Sequence, residues 1–220
     1  MGGHRHLRAC FRAPIPEIAQ AAALLDAAVT AHLLGQAAQA EALIRQADMP
    51  AVAAWVESIL GRNSPYALIR PAPAPRLAVA QRVPARMPSV QERCQLHARD
   101  GFHCRFCGIP VIRQQVRERI RRAYPQALRW GKRNAERHAA FFALWVQYDH
   151  LLPHAQGGGN ELSNMVITCA ACNYGRGGYT LAEAGLAHPL ERPAVRSAWD
   201  GLERFGRAPP AAGTDAVLPQ

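Results

Sequence analysis

Four of the six cysteines fall into two Cys-x2-Cys pairs, Cys104/Cys107 and Cys169/Cys172, with residues 108–168 between them. A Cys-x2-Cys turn sets two sulfurs about one tetrahedral edge apart, and the chain between two such turns can be of any length. The pattern therefore predicts one four-thiolate metal site. In a reducing compartment that reading takes precedence over a disulfide framework. Four thiolates leave no open coordination position, so the ion, zinc, is expected to be structural. The alternative, four unrelated buried cysteines, leaves unexplained why both pairs adjoin glycine or small residues that permit the turn. Cys10 and Cys94 stand apart and read as small apolar residues, buried or half-buried.

The second pair ends the run YDHLLPHAQGGGNELSNMVITCAACN, residues 148–173. Apolar Trp145, Val146 and Tyr148 before Asp149 and His150, and the stretch Met165 to Thr168, read as two short strands. Gly157 to Gly159 turn the chain between them, and a helix begins near Cys172. Successive strand side chains point apart, so one of Asp149 and His150 can hold a metal while the other holds a water. The Asp149 carboxylate and the Asn173 side-chain carbonyl are oxygen ligands suited to a hard divalent cation. So sparse a set fits magnesium or manganese, with water and phosphate completing the shell. His150 titrates near physiological pH and can take a proton from water. Taken singly, Asp149 and His150 read as a solvated loop pair and Asn173 as a helix cap; the chemistry rests on the set.

That set resembles the HNH nucleases of the ββα-metal fold. Their pattern stands here as Cys104/Cys107, Asp149-His150-Leu151-Leu152-Pro153, Gly157/Gly158, Ser163-Asn164 and Cys169/Cys172-Asn173. The resemblance covers roughly residues 89–180. It implies that His150 is the general base and that Asp149 and Asn173 hold a catalytic Mg2+ or Mn2+. It further implies that Asn164 ties down the loop orienting His150 and that the four cysteines hold structural zinc. Two departures stand out. The family's first cysteine pair lies much closer to its Asp-His, whereas a basic helical insertion, residues 108–148, intervenes here. The family's lysine after the last Asn is replaced by Arg176, which keeps the charge and is expected at phosphate.

The whole chain points to an acidic partner. Its 220 residues carry a formal net charge of +10 and a pI near 10.1. Lys132 is the only lysine among 26 basic residues, a bias that suits bidentate phosphate contacts and equally reflects a GC-rich genome. No apolar segment approaches bilayer length, so DNA, double-stranded, is favoured over a membrane. Residues 108–148 carry most of the surplus charge. Arg117, Arg121, Arg122, Arg129 and Arg133 are expected along the DNA backbone, the alternative being a solvated face. His154 is expected to face solvent, and Trp130 and Trp145 to join the core.

The predicted fold class is α+β, mostly helical, with a ββα-metal (HNH) core, a helical insertion and an N-terminal helical region. Residues 1–70 are Ala-rich and predict two or three helices. In the first, Ile18, Ala22, Leu25, Val29 and Leu33 recur at helical spacing and Gly35 ends it. A later one opens at Met49 and Pro50. Residues 71–88 are Pro-rich and read as an extended linker and domain boundary. Residues 89–185 form the nuclease-like domain, with Ser89 capping a helix to about Asp100 and helices over 112–124 and 133–147. Residues 186–220 give a short helix through Val195, Trp199 and Leu202, then a disordered tail from Arg207. The N-terminus lacks a clean apolar centre for a signal peptide, which predicts a cytoplasmic protein. The functional expectation is an endonuclease hydrolysing DNA phosphodiesters. The alternatives are a zinc-dependent nucleic-acid-binding module without hydrolysis and an interaction protein whose helices dock to a larger complex.

Overall fold

Proline at the first turn opens two of the N-terminal helices, where its missing N–H costs no hydrogen bond. These are α1 (Pro16–Leu33) and α3 (Pro50–Leu60), with α2 (Ala37–Gln46) between them. Gly35, at φ +76°, turns the chain after α1. The apolar stripe of α1 buries Ile18, Leu25 and Val29, and α2 adds Ala40 and Ile44. In α3 the buried face is Val52, Trp55, Val56 and Ile59. A single turn, α4 (Pro65–Leu68), follows. The computed structural model describes residues 7–68, 72, 74–84 and 86–206. The expected tail from Arg207 lies outside the described residues, as do Pro71 and Pro73.

Helix α5 (Val90–Asp100) starts in a capping box. Ser89 Oγ accepts from Glu92 N–H at 3.2 Å, while Glu92 Oε2 accepts from Ser89 N–H at 2.6 Å. Such a box satisfies two otherwise orphaned donors. The insertion contributes α6 (Gln114–Ala123) and α7 (Ala139–Ala143). Strand β1 (Val146–His150) then runs antiparallel to β2 (Met165–Cys169), in register from Val146↔Cys169 to His150↔Met165. Helix α8 (Ala170–Arg176) follows β2 without a break, and the short α9 (Leu181–Ala184) comes after. The chain is thus α+β and mostly helical, with a two-stranded sheet. No helix among the described residues is long and apolar enough to cross a membrane.

The second edge of β2 is covered by polar groups from α5 and the cysteine turn. Ile167 N–H donates to Asp100 Oδ2 at 3.1 Å and Ile167 O accepts from Arg105 N–H at 2.8 Å. Asp100 is buried, with both oxygens also held by Arg99. A strand edge capped in this way offers no template to another chain.

Residues on both sides of the Pro-rich stretch share one continuous core: α3 packs on α7 and α8, and α1 on α7. At Gly175, on the α3-facing side of α8, a Cβ would come within 2.6 Å of Ile59 Cγ2. The close approach of the two helices requires glycine there.

Two sequence expectations give way. The helix expected over 133–147 is confined to α7 and a 3-10 turn at Asn134–Glu136. Ile112 captures the chain beyond it: Ile112 N–H donates to Leu144 O at 2.7 Å and Val146 N–H to Ile112 O at 3.0 Å. This non-local pairing, on a run rich in β-branched and aromatic residues, outweighs local helical spacing. The helix expected through Val195, Trp199 and Leu202 does not form either. Asp200 instead accepts from Leu202 N–H at 2.9 Å and Arg204 N–H at 3.3 Å, a local bond that competes with a helix. Leu202 lies at φ +61° and is fully buried.

His138, just before α7, is fully buried and donates from Nε2 to Ile44 O at 2.8 Å. Burial pushes its pKa down to about 4, with Arg129 acting the same way. Asp48 stands 3.9 Å from Nδ1, but its carboxylate is already taken by Arg129 and by Ala139 N–H. The unfolded chain therefore takes the proton first, and stability is lost as pH falls from about 6.5 towards about 4. This residue alone is expected to contribute about 3 kcal/mol of that loss. Urea unfolding of His138→Gln, which keeps an N–H donor without the titration, should lose correspondingly less between those pH values. Equal losses in both proteins would refute the assignment.

Candidate functional site

The cysteine turn between α5 and the insertion is closed by two backbone bonds. Cys104 N–H donates to Ile109 O at 2.9 Å and Gly108 N–H to Cys104 O at 2.8 Å. The second pair comes from the β2–α8 junction: Cys169 ends the strand and caps the helix, its Sγ accepting from Cys172 N–H at 3.4 Å. The four sulfurs lie within 4.8 Å of one another, and Cys107 Sγ and Cys169 Sγ are 3.7 Å apart. A Zn–S bond of about 2.3 Å gives tetrahedral edges of about 3.8 Å, so the cluster fits one zinc ion. Burial pushes the Cys169 thiol up, because desolvation opposes a lone thiolate. A bound cation is the counter-charge such a nest needs. Cys10 is half-buried, with its thiol pushed up to about 11 mainly by burial. Cys94 is exposed on α5, contrary to the expectation of a buried or half-buried residue.

Asp149 and His150 end β1, and Asn173 sits one turn into α8, directly after Cys172. All three line one cleft of about 600 Å3, together with His154, Tyr174 and residues of the Pro-rich segment. The four-sulfur cluster fixes the start of α8 and hence the position of Asn173. The loop after β1 folds back tightly: at Gly158 a Cβ would come within 1.9 Å of Leu152 O. Asn164 closes that loop. Its Oδ1 accepts from Leu152 N–H at 2.8 Å and its Nδ2 donates to Gly159 O at 2.8 Å.

His150 is orientated by Asn160, a residue that the sequence reading passed over. His150 Nε2 donates to Asn160 Oδ1 at 2.9 Å, which leaves Nδ1 as the basic nitrogen. Burial is the main cause that lowers the His150 pKa below the usual imidazole value. The one available signal was position: Asn160 directly follows the three glycines.

Arg176, expected at phosphate, lines the same cleft but is almost fully buried, with its guanidinium engaged by Asp149. Its Nε donates to Asp149 Oδ2 at 3.0 Å and its Nη2 to Asp149 Oδ1, a fork for which guanidinium is better shaped than ammonium. It also donates to the backbone oxygens of His150, Leu151 and Tyr179. Burial raises the Asp149 pKa, and Arg176 opposes that rise. Removing the guanidinium would leave a buried carboxylate unpaired, a change that typically costs about 3–5 kcal/mol.

The insertion's arginines do not line the cleft. Arg117 is buried, its guanidinium 3.6 Å from the Trp130 ring centre and paired with Glu118. Its place in the core removes it from any contact with DNA. Arg129 pairs with Asp48, and Arg133 with Glu136 at 2.5 Å. Arg121 and Arg122 are exposed on α6, with Arg121 3.5 Å from Glu118. His154 does not simply face solvent: its Nε2 donates to Val83 O at 2.8 Å. Comparison with known proteins gives no match to this chain, whether among family models, curated proteins or solved structures.

Proposed function

We propose that this chain is a zinc-stabilised, metal-dependent endonuclease of the HNH type that hydrolyses phosphodiester bonds in DNA. The observation that carries the reading is the convergence of Asp149, His150 and Asn173 on one cleft, on a strand–strand–helix unit pinned by four cysteines. His150 Nδ1 takes the proton of a water whose oxygen bonds to phosphorus as a P–O ester bond breaks. The departing oxygen takes its proton from solvent. Asn160 holds the imidazole in the required tautomer. Asp149 and Asn173 would hold a divalent cation, Mg2+ or Mn2+, whose chemistry when bound is to stabilise charge on the phosphate and the departing oxygen. The Arg176 fork fixes Asp149 in place while each carboxylate oxygen retains a further lone pair. Six free cysteines suit a reducing compartment such as the cytoplasm.

One observation favours a second reading, a zinc-dependent DNA-binding module without hydrolysis. The Arg176 fork already supplies Asp149 with a cationic partner, as it would in a purely structural pair. Supercoiled plasmid incubated with the zinc-loaded protein separates the two. Nicked or linear product that appears only with added Mg2+ or Mn2+ is the expected result. Retarded but uncut plasmid with every divalent ion tried would leave the binding module.

A further inference from the structure

The Pro-rich segment expected as a passive linker forms part of the cleft. Arg76, Arg82 and Arg86 line it together with Asp149, His150 and Asn173. Proline at 75, 84 and 88 fixes φ and withholds N–H groups, which limits regular structure among the described residues of the stretch to one 3-10 turn at Val79–Gln81. Tertiary contacts then set its course, and they go to the loop after β1. Leu77 N–H donates to Ala155 O at 2.8 Å, and Val83 O accepts from His154 at 2.8 Å. Leu77 also packs over Gly157, where a Cβ would come within 3.2 Å of its Cδ1. Arg82 stiffens the span from within, donating twice to Leu77 O at 2.9 and 2.7 Å. Arg76 and Arg86 are exposed. Among the described residues no carboxylate lies within 4.0 Å of any of the three guanidinium groups, whereas Arg117, Arg121, Arg129 and Arg133 of the insertion are paired.

We propose that this segment is a phosphate-gripping strap, with Arg76 and Arg86 holding the backbone of a DNA strand in the cleft. Guanidinium forks match phosphodiester oxygens bidentately, and cations without an acidic neighbour keep their full attraction for them. The inference rests on the endonuclease reading for what lies in the cleft, and binding can be measured apart from cleavage.

The test is the fluorescence anisotropy of a fluorescein-labelled DNA duplex titrated with full-length, zinc-loaded protein over a range of salt, without added divalent ion. Arg76→Ala/Arg86→Ala is expected to bind roughly 10- to 100-fold more weakly at about 0.1 M salt, with the slope of log K against log[salt] smaller by about 2. Arg76→Lys/Arg86→Lys should recover most of the slope. Arg12→Ala/Arg62→Ala, a matched loss of two exposed charges outside the cleft that form no ion pair among the described residues, should keep it. Circular dichroism and zinc content should be unchanged throughout. An unaltered slope in the Arg76/Arg86 alanine variant, or an equal fall in the Arg12/Arg62 protein, overturns the strap. Plasmid cleavage is scored separately. A wild type that cuts, with strap alanines that bind at full slope, sinks the strap and keeps the nuclease. A wild type that never cuts, with strap alanines that lose the slope, keeps the strap as a DNA-binding surface and sinks the nuclease.

Discussion

Cys172→Ser protein is expected to lose bound zinc and, with it, the fold of the strand–strand–helix unit. Structural zinc in small domains is worth about 10–16 kcal/mol of folding free energy, against a whole-domain stability of about 5–15 kcal/mol. Serine keeps the size of the side chain and removes the soft, easily ionised ligand, so a weakened three-thiolate site remains. Because α8 packs on α3 and its Ala170 and Ala171 are fully buried, the loss should spread into the common core. Zinc content per chain and a thermal melt followed by circular dichroism measure both effects. Cys94→Ser, at an exposed position, should leave them unchanged. A Cys172→Ser chain that melts like wild type with its full zinc complement would remove the structural-zinc assignment.

His150→Ala should do the reverse, keeping zinc and fold while DNA cleavage collapses. A positioned general base contributes about 10²–10⁴-fold in rate, and a fall of that size in the initial rate of plasmid nicking is expected. Asn160→Ala should lower the rate less, because the imidazole remains and only its tautomer and orientation are freed. The pair of variants separates proton transfer from packing: His150 touches the reacting water in the proposed mechanism, whereas Asn160 acts only through His150. Unchanged nicking by His150→Ala at normal zinc content would dispose of the mechanism.

What could be read in advance follows the reach of each interaction. The cysteine pairs, the Ser89 cap and the Pro50 start of α3 are short-range patterns, and each stands where its spacing indicated. Arg176 was legible as a cation but not in its direction. Its burial depends on Asp149, 27 residues away in sequence. Asn160 was hidden because a hydrogen bond to His150 leaves no mark on local periodicity. Strand β1 was itself legible, whereas the early end of the helix before it was not: Ile112 bonds to Leu144 and Val146, and nothing between 133 and 147 encodes that partner. Most hidden of all was the Pro-rich segment. Its prolines specify what it cannot join, while its place beside the cleft is set by His154 and Ala155.

The glycine contact between α8 and α3 bears on how such a unit could be inherited. With Ile59 seated where a side chain on Gly175 would stand, and Phe11 within 3.3 Å of the same point, the rear of the ligand-bearing helix is a fitted joint. The catalytic-looking stretch is therefore no portable cassette. Transplanted into another polypeptide, it would need a surrogate for that apolar backing before its front face could be presented at all.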